Sequence, residues 1–118
     1  MRVLVTGGRN YNDLNNVYRV LNEIDGKTRI TAIIQGGASG ADELARQWAK
    51  TVGITPKTYK ADWTKYGKAA GPIRNSTMAK ESRADLCIAF PGGTGTADMI
   101  DKANRAGIPV RDFRQILP

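Results

Sequence analysis

Three glycine-rich turns contain the residues of this sequence whose types and spacing could do chemistry. They lie at residues 6–9 (Thr-Gly-Gly-Arg), 35–42 (Gln-Gly-Gly-Ala-Ser-Gly-Ala-Asp) and 91–96 (Pro-Gly-Gly-Thr-Gly-Thr), each directly after a short apolar run. Glycine lets backbone N–H groups approach an anion closely, and the N-terminus of a following helix adds partial positive charge. Three such turns favour the binding of a phosphorylated ligand.

The first two turns each have two interpretations. Residues 6–9 form either a plain tight turn or an anion cradle in which Arg9 makes a bidentate contact to phosphate. Residues 35–42 match neither the dinucleotide fingerprint nor the Walker pattern. Here Ser39 can cap a helix or donate a hydrogen bond, and the glycines serve either ligand approach or close helix–strand packing. We favour binding for both turns because each ends a strand-like run.

Asp42 and Asp98 are predicted to occupy equivalent places, each in the first turn of a helix that follows a glycine turn. An acid at that position commonly complements the helix dipole. The alternatives are a contact to a ribose hydroxyl or a catalytic role. Both interpretations stay open for each carboxylate.

Alternating strands and helices must position these residues. Apolar, β-branched runs at residues 3–5, 30–34 and 86–90 predict strands buried on both faces, with further strands at 54–59 and 108–110. Pro56 places the strand at 54–59 at an edge of the sheet, because proline cannot donate to a ladder.

Helical spacing of apolar residues fills the intervals between the strands. It predicts helices over residues 13–26, 40–53, 72–82 and 94–104, and leaves residues 62–71 as the least regular stretch. The alternation predicts an α/β fold, a single doubly wound, Rossmann-like parallel sheet of about five strands in the order 3-2-1-4-5 with helices on both faces. In that order a crevice opens between strands one and four, where the first and third glycine turns face each other.

Composition narrows the function further. The chain has 118 residues, which predicts one domain over residues 1–118, and it has no histidine and one cysteine. We expect no metal site and no cofactor, and a buried thiol at Cys87. The net charge of +7 favours polyanions or phosphorylated small molecules as partners, the alternative being a basic soluble surface. With no leader pattern and no apolar run near the ~20 residues of a membrane span, we expect a cytoplasmic protein.

The residues of the third turn carry a family resemblance. Residues 91–98 resemble the Pro-Gly-Gly-x-Gly-Thr-x-x-Glu motif of the lysine-decarboxylase-like phosphoribohydrolases that release cytokinin bases, part of the SLOG superfamily of Rossmann-like domains. Nearly the whole chain resembles the small stand-alone YspA-like, cpYpsA-related SLOG family, and more distantly DprA-type domains. The resemblance is carried by residues 6–11, 36–42, 48–49, 61–63, 67–75, 78, 91–98 and 107–110. The resemblance implies a nucleotide-derived ligand, a homo-oligomer, and a sensor or sequestering role in phage–host conflict.

The sequence departs from those hydrolases at the catalytic acid. Their glutamate corresponds to Met99, and the adjacent Asp98 should point about 100° away on a helix. Residues 74–78 resemble the hydrolases' arginine with its following helical motif, which makes Arg74 a ligand-contact candidate. Arg74 is otherwise a surface residue on a first helical turn, where a cation opposes the dipole. Trp63 and Tyr66 could stack on a base, close a dimer interface or pack in the core.

We therefore predict a domain that binds a nucleotide or nucleotide-derived small molecule, without membrane contact. The alternatives are an N-glycosidic hydrolase of nucleoside monophosphates, with Asp98 and Arg74 as catalytic candidates, and a nucleic-acid-binding module. The predicted ligand-binding residues are Gly7, Gly8, Arg9, Gly36, Gly37, Ser39, Gly40, Asp42, Arg74, Asn75, Gly92, Gly93, Thr94, Gly95, Thr96 and Asp98.

Overall fold

A five-stranded sheet forms the centre of the computed structural model, which describes residues 1–114. Its strands are β1 (Arg2–Thr6), β2 (Ala32–Gln35), β3 (Pro56–Thr58), β4 (Leu86–Ala89) and β5 (Val110–Asp112). All neighbouring pairs are parallel and the order is β3-β2-β1-β4-β5, which confirms the predicted doubly wound sheet and the edge position of β3. The predicted domain also included residues 115–118, which lie outside the described residues.

Five helices and one 3-10 turn connect the strands. Two aspartates cap helices in the expected way: the Asp13 carboxylate accepts from the Asn16 N–H at 3.0 Å, and the Asp62 carboxylate accepts from the Lys65 N–H at 3.0 Å. The elements are α1 (Leu14–Lys27), α2 (Ala41–Thr51), α3 (Trp63–Tyr66), the 3-10 turn (Gly67–Ala69), α4 (Ala70–Glu81) and α5 (Thr94–Arg105).

Each face of the sheet has its own apolar core, because successive side chains of a strand point to opposite faces. Val3 and Val5 pack in one cluster with residues of α1 and α2, while Leu4 packs in the other with residues of α4 and α5. Trp48 fills the first core, and its indole Nε1 donates to Asn22 Oδ1 at 2.8 Å. The two cores hold the ends of β1 and β4 rigidly from both sides.

Some predicted element boundaries were wrong for identifiable reasons. Strand β2 begins at Ala32 because the Ile30 N–H donates to Asp25 Oδ1 at 2.9 Å instead of joining the ladder. Strand β5 begins at Val110 because the Ile108 N–H donates to the Ala103 carbonyl at 2.9 Å and closes α5. Residues 62–71, predicted as the least regular stretch, contain the short helix α3 and the 3-10 turn, and α4 begins at Ala70 rather than at the predicted residue 72.

Neither a membrane span nor a metal cluster occurs in the part of the chain that the structure describes. No helix there is long and apolar enough to cross a bilayer, and no three His, Cys, Asp or Glu side chains lie close enough to hold a metal ion. Cys87 is fully buried, as predicted, and burial raises the pKa of its thiol to about 12. The thiol is therefore unreactive at neutral pH.

Candidate ligand-binding site

The three glycine-rich turns meet at the carboxyl edge of the sheet, where β1 and β4 lie side by side. The Gly8 N–H donates to the Pro91 carbonyl at 2.8 Å, and the Gly8 carbonyl accepts from the Ala41 N–H at 3.2 Å. The Ser39 hydroxyl donates to the Arg9 carbonyl at 3.1 Å. The first turn thus contacts both others, and the predicted opposition of the first and third turns is confirmed.

Two glycines of the second turn lie where a Cβ would meet neighbouring atoms of the site. Gly40 has φ +77°, and a Cβ there would overlap the Gly8 carbonyl oxygen. A Cβ on Gly36 would overlap the Arg74 guanidinium. Gly40 is also the N-cap of α2, so of the two alternatives for Ser39 the structure has the hydrogen bond: its hydroxyl donates to the Arg9 carbonyl.

A cavity of about 970 Å³ occupies the crevice. It is bounded by the three turns, by the region around α3 and α4, and by the start of α5. A second cavity, of about 410 Å³, adjoins it, and Gly37 and Ser39 line this smaller one. Gly40 lines neither cavity. The predicted ligand-binding residues that line the larger cavity are Gly7, Gly8, Arg9, Gly36, Asp42, Arg74, Asn75, Gly92, Gly93, Thr94, Gly95, Thr96 and Asp98.

Arg74 joins α4 to the second turn. Its Nη1 donates to the carbonyls of Gly36 at 2.7 Å and Tyr59 at 3.3 Å, and its Nε donates to Asn75 Oδ1 at 2.9 Å. Arg74 is the fifth residue of α4, so the prediction of a first-turn position was wrong. Its cation is positioned by backbone carbonyls at the sheet edge rather than by the helix terminus.

A second guanidinium, that of Arg9, lies on the same cavity wall. Arg9 Cζ lies 5.3 Å from the centre of the Trp63 ring, a cation–π contact. Burial lowers the pKa of Arg74, the Asp42 carboxylate opposes this shift, and the nearby charge of Arg9 adds to it. Within residues 1–114 neither arginine forms a salt bridge with a carboxylate. The wall therefore carries two like charges close enough to repel each other.

The aromatic residues near this wall are half-exposed. Trp63 is 49% exposed and Tyr66 is 41% exposed, so the core-packing interpretation is wrong for both. Trp63 lines both cavities, at a position from which it can contact a ligand.

Asp42 is buried and organises the second turn. Its Oδ2 accepts from the N–H groups of Gly36 at 3.1 Å and Ala38 at 3.2 Å. Burial raises the pKa of Asp42 to about 6, against the opposing effects of the Ala38 N–H, the Arg74 charge and the Gly36 N–H. The predicted place in the first turn of a helix is confirmed, but this carboxylate holds its own loop together.

Asp98 belongs to a polar group between α4 and α5. Its Oδ2 accepts from Lys102 Nζ at 2.8 Å and from Asn75 Nδ2 at 3.0 Å. Lys102 also donates to the Pro72 carbonyl at 2.7 Å. Burial raises the pKa of Asp98, but the hydrogen bonds from Lys102 and Asn75 and the charges of Lys102 and Arg105 outweigh it and lower the pKa. The carboxylate is ionised at neutral pH.

Asp98, and not Met99, lies on the cavity side of α5. Met99 is fully buried and packs with Leu4, Ile34 and Met78 in the core. Asp98 is the fifth residue of α5, so its predicted place in the first turn was wrong. The cavity wall therefore contains an ionised carboxylate one position before the residue that the hydrolase motif indicates.

Sequence reasoning missed three cationic or aromatic contributors to the site. Tyr11 lines the larger cavity, Lys60 lines the smaller one, and Lys102 neutralises Asp98. The four-residue spacing of Asp98 and Lys102 on a predicted helix was a readable signal. No local pattern marks Lys60, which follows a short edge strand.

A solved structure shares this fold. The X-ray structure of DNA processing protein A (DprA) from Streptococcus pneumoniae superimposes with a TM-score of 0.75 at 18% sequence identity, over 94% of this chain and 49% of that chain. This chain thus spans about half the length of that DprA chain. The fold and its crevice together define a Rossmann-like α/β domain.

Sequence relatives make the assignment more specific. The model of the "YspA, cpYpsA-related SLOG family" matches residues 1–66. The Gene 61 protein of Mycobacterium phage D29 is 39% identical over 120 residues, covering 95% of each chain. The chain belongs to the YspA, cpYpsA-related SLOG family.

Proposed function

We propose that this protein binds a nucleotide or a nucleotide-derived small molecule in the larger cavity. The observation that carries this proposal is the pair of guanidinium groups of Arg9 and Arg74 on one cavity wall, without a carboxylate salt bridge to either within residues 1–114. Two neighbouring cations repel each other unless an anion lies between them. A phosphate group supplies that anion and matches the bidentate geometry of arginine.

The remaining cavity walls suit the other parts of a nucleotide. Thr94 and Gly95 begin α5, where backbone N–H groups lack partners within the helix and attract an anion. The ionised Asp98 can accept hydrogen bonds from ribose hydroxyls, and the half-exposed Trp63 can stack on a base. The relative in phage D29 is consistent with a phage setting, and we propose that binding senses or sequesters a nucleotide signal in phage–host conflict.

Mass spectrometry of small molecules released from the denatured protein tests the proposal, with Gly95→Ala as the site variant. A Cβ on Gly95 meets no protein atom within 4 Å, and Gly95 lines the cavity, so a methyl group there fills ligand space without disturbing the fold. We expect the wild-type protein to release a nucleotide-like compound. We expect Gly95→Ala to bind that compound about tenfold more weakly, because a steric conflict with the added methyl group costs about 1–3 kcal/mol.

The matched control is Gly26→Ala, in α1 and away from both cavities, where a Cβ also meets nothing within 4 Å. Both substitutions should raise the free energy of unfolding by about 0.5–1 kcal/mol, because alanine favours helix over glycine. Equal ligand occupancy in the two variants would contradict the assigned site. Binding of oligonucleotides that weakens steeply with salt, with no mononucleotide bound, would favour the nucleic-acid alternative instead.

A second candidate function is cleavage of an N-glycosidic bond, favoured by the position of Asp98 on the cavity wall. An ionised carboxylate stabilises the positive charge that develops on the sugar in an oxocarbenium-like transition state. Because hydrogen bonds and nearby cations lower the pKa of Asp98, it cannot serve as the general acid.

For this second function, the wild-type protein is incubated with AMP, ADP-ribose and NAD, and free base is measured by chromatography. If the protein cleaves at this site, free base is released, and Asp98→Asn should slow the release about a hundredfold. The reason is that the variant loses one electrostatic contact to the transition state. Asp101→Asn, an exposed carboxylate on the same helix, should leave the rate unchanged. Absence of free base from all three compounds would reject the hydrolase.

A further inference from the structure

The smaller cavity continues the larger one across a shared wall. It measures about 410 Å³ and is lined in addition by Gly37, Ser39, Lys60 and Ala61. Arg9, Trp63 and Arg74 line both cavities. A ligand held at the two arginines therefore has room to extend to either side of them.

The two cavities differ in charge. Three cations line each of them: Arg9 and Arg74 are common to both, and they are joined by Lys68 in the larger cavity and by Lys60 in the smaller. The larger cavity also contains the carboxylates of Asp42 and Asp98. No carboxylate lies among the described residues that line the smaller one. The smaller cavity is thus the more strongly attractive place for negative charge.

Donors on the shared wall remain available to a ligand in the smaller cavity. The Nη1 and Nε atoms of Arg74 are engaged, but its Nη2 makes no hydrogen bond to residues 1–114. Lys60 forms no salt bridge within the same residues. Lys60 Cγ would lie 3.6 Å from a Cβ placed on Gly37, so its aliphatic stem runs beside the second turn. Lys60 thus adds to the smaller cavity a cation that has no salt bridge among residues 1–114, and Asp98 does not line this cavity.

We propose that the ligand carries at least two linked phosphoryl groups, with its nucleoside part in the larger cavity and its distal phosphoryl group in the smaller cavity at Lys60. This inference rests on the proposed nucleotide binding. It adds the orientation of the ligand and the smallest number of linked phosphoryl groups that the ligand carries. The ligand class is a nucleoside diphosphate or a compound joined through a diphosphate, such as a dinucleotide. A nucleoside monophosphate would leave the smaller cavity empty.

Titration calorimetry with adenine and guanine nucleotides, as monophosphates and diphosphates, tests this orientation. For the base that binds, we expect the diphosphate to bind at least about tenfold more tightly than the monophosphate, because it makes one more charge-assisted contact. Lys60→Met keeps the aliphatic stem and removes the charge. It should weaken diphosphate binding about tenfold and leave monophosphate binding unchanged.

Lys80→Met is the matched control, because Lys80 is exposed in the last turn of α4, lines neither cavity and changes the net charge equally. It should leave both affinities unchanged, and thermal melting should show all three proteins equally folded. If the monophosphate binds as tightly as the diphosphate, or if Lys60→Met weakens both equally, the second subsite is rejected while nucleotide binding stands. If no nucleotide of either length binds, both proposals are rejected.

Discussion

Replacement of Arg74 by alanine is expected to weaken binding of the nucleotide recovered from the wild-type protein about a hundredfold. Removing a partly buried, hydrogen-bonded charge from a binding interface costs about 2–5 kcal/mol, and each 1.4 kcal/mol is tenfold in affinity. Arg74 meets these conditions because backbone carbonyls of Gly36 and Tyr59 hold its guanidinium at the cavity wall. Calorimetric titration of the purified variant measures the effect.

The same substitution should also destabilise the fold. It leaves the carbonyls of Gly36 and Tyr59 without their side-chain donor and removes the cation beside the buried Asp42. We expect the free energy of unfolding to fall by about 2 kcal/mol, measured by urea denaturation. Lost binding must therefore be separated from lost structure.

Three further variants make that separation. Arg74→Lys keeps the charge but loses the planar fork, and we expect an intermediate affinity. Arg9→Ala removes the exposed neighbouring guanidinium, so binding should fall while stability changes little. Arg105→Ala removes an exposed arginine that pairs with Asp101 at 3.2 Å, and should bind as the wild type does. If Arg74→Ala retains full affinity in folded protein, the anion site at this wall is wrong.

The second large effect is a change in the pH dependence of stability in Asp42→Asn. Burial raises the pKa of Asp42 from 3.8 to about 6 in the folded protein. Between these values the folded state binds more protons than the unfolded state, so stability falls as pH rises through the window. This carboxyl group is protonated in both states only well below pH 3.8 and ionised in both only well above about pH 6.

Relative to Asp42→Asn, the wild-type protein should therefore gain about 2–3 kcal/mol as the pH is lowered from 7 to 4, since each pKa unit corresponds to about 1.4 kcal/mol. The asparagine Oδ1 can still accept from the N–H groups of Gly36 and Ala38, so the variant should fold. Urea denaturation at several pH values measures the difference. Carboxylates whose pKa is lowered, such as those of Asp98 and Asp112, change stability with pH in the opposite direction to Asp42. Both proteins contain them, so their contributions cancel in the difference.

Asp101→Asn serves as the control for this comparison, because Asp101 is an exposed carboxylate on α5. Its stability profile should run parallel to that of the wild-type protein. A parallel profile for Asp42→Asn as well would mean that the buried carboxyl group does not take up a proton on folding in this pH window.

The fold could be predicted from local patterns in the sequence. Apolar, β-branched runs identified the strands, although several strand ends differ from the prediction by one or two residues. Two strand starts shifted because a side chain or a helix end captured a backbone N–H, as Asp25 does at Ile30. The predicted strand order, which brings the first and third turns together at a switch point, is confirmed. Right-handed crossovers leave few alternatives for such a chain.

The candidate site could be predicted only in part. The glycine turns and Arg9 were identifiable because they directly follow strand-like runs, and Arg74 because residues 74–78 resemble the arginine motif of the hydrolases. The role of Asp42 was not, because its carboxylate accepts from N–H groups of its own loop and is buried only in the folded chain. Nor was Lys60, which the pairing of β2 with β3 brings beside the second turn.

By itself, the sequence determined the elements and the three turns, because periodicity, helix capping and glycine conformation depend on residues a few positions apart. Only the tertiary structure decided that Arg9 and Arg74 share a wall, that Asp98 faces the cavity while Met99 fills the core, and that the charged residues described around the smaller cavity are all cations. The electrostatic potential and the solvent exposure at a site depend on all the elements that surround it. Both quantities are set only after the strands have paired and the helices have packed on them.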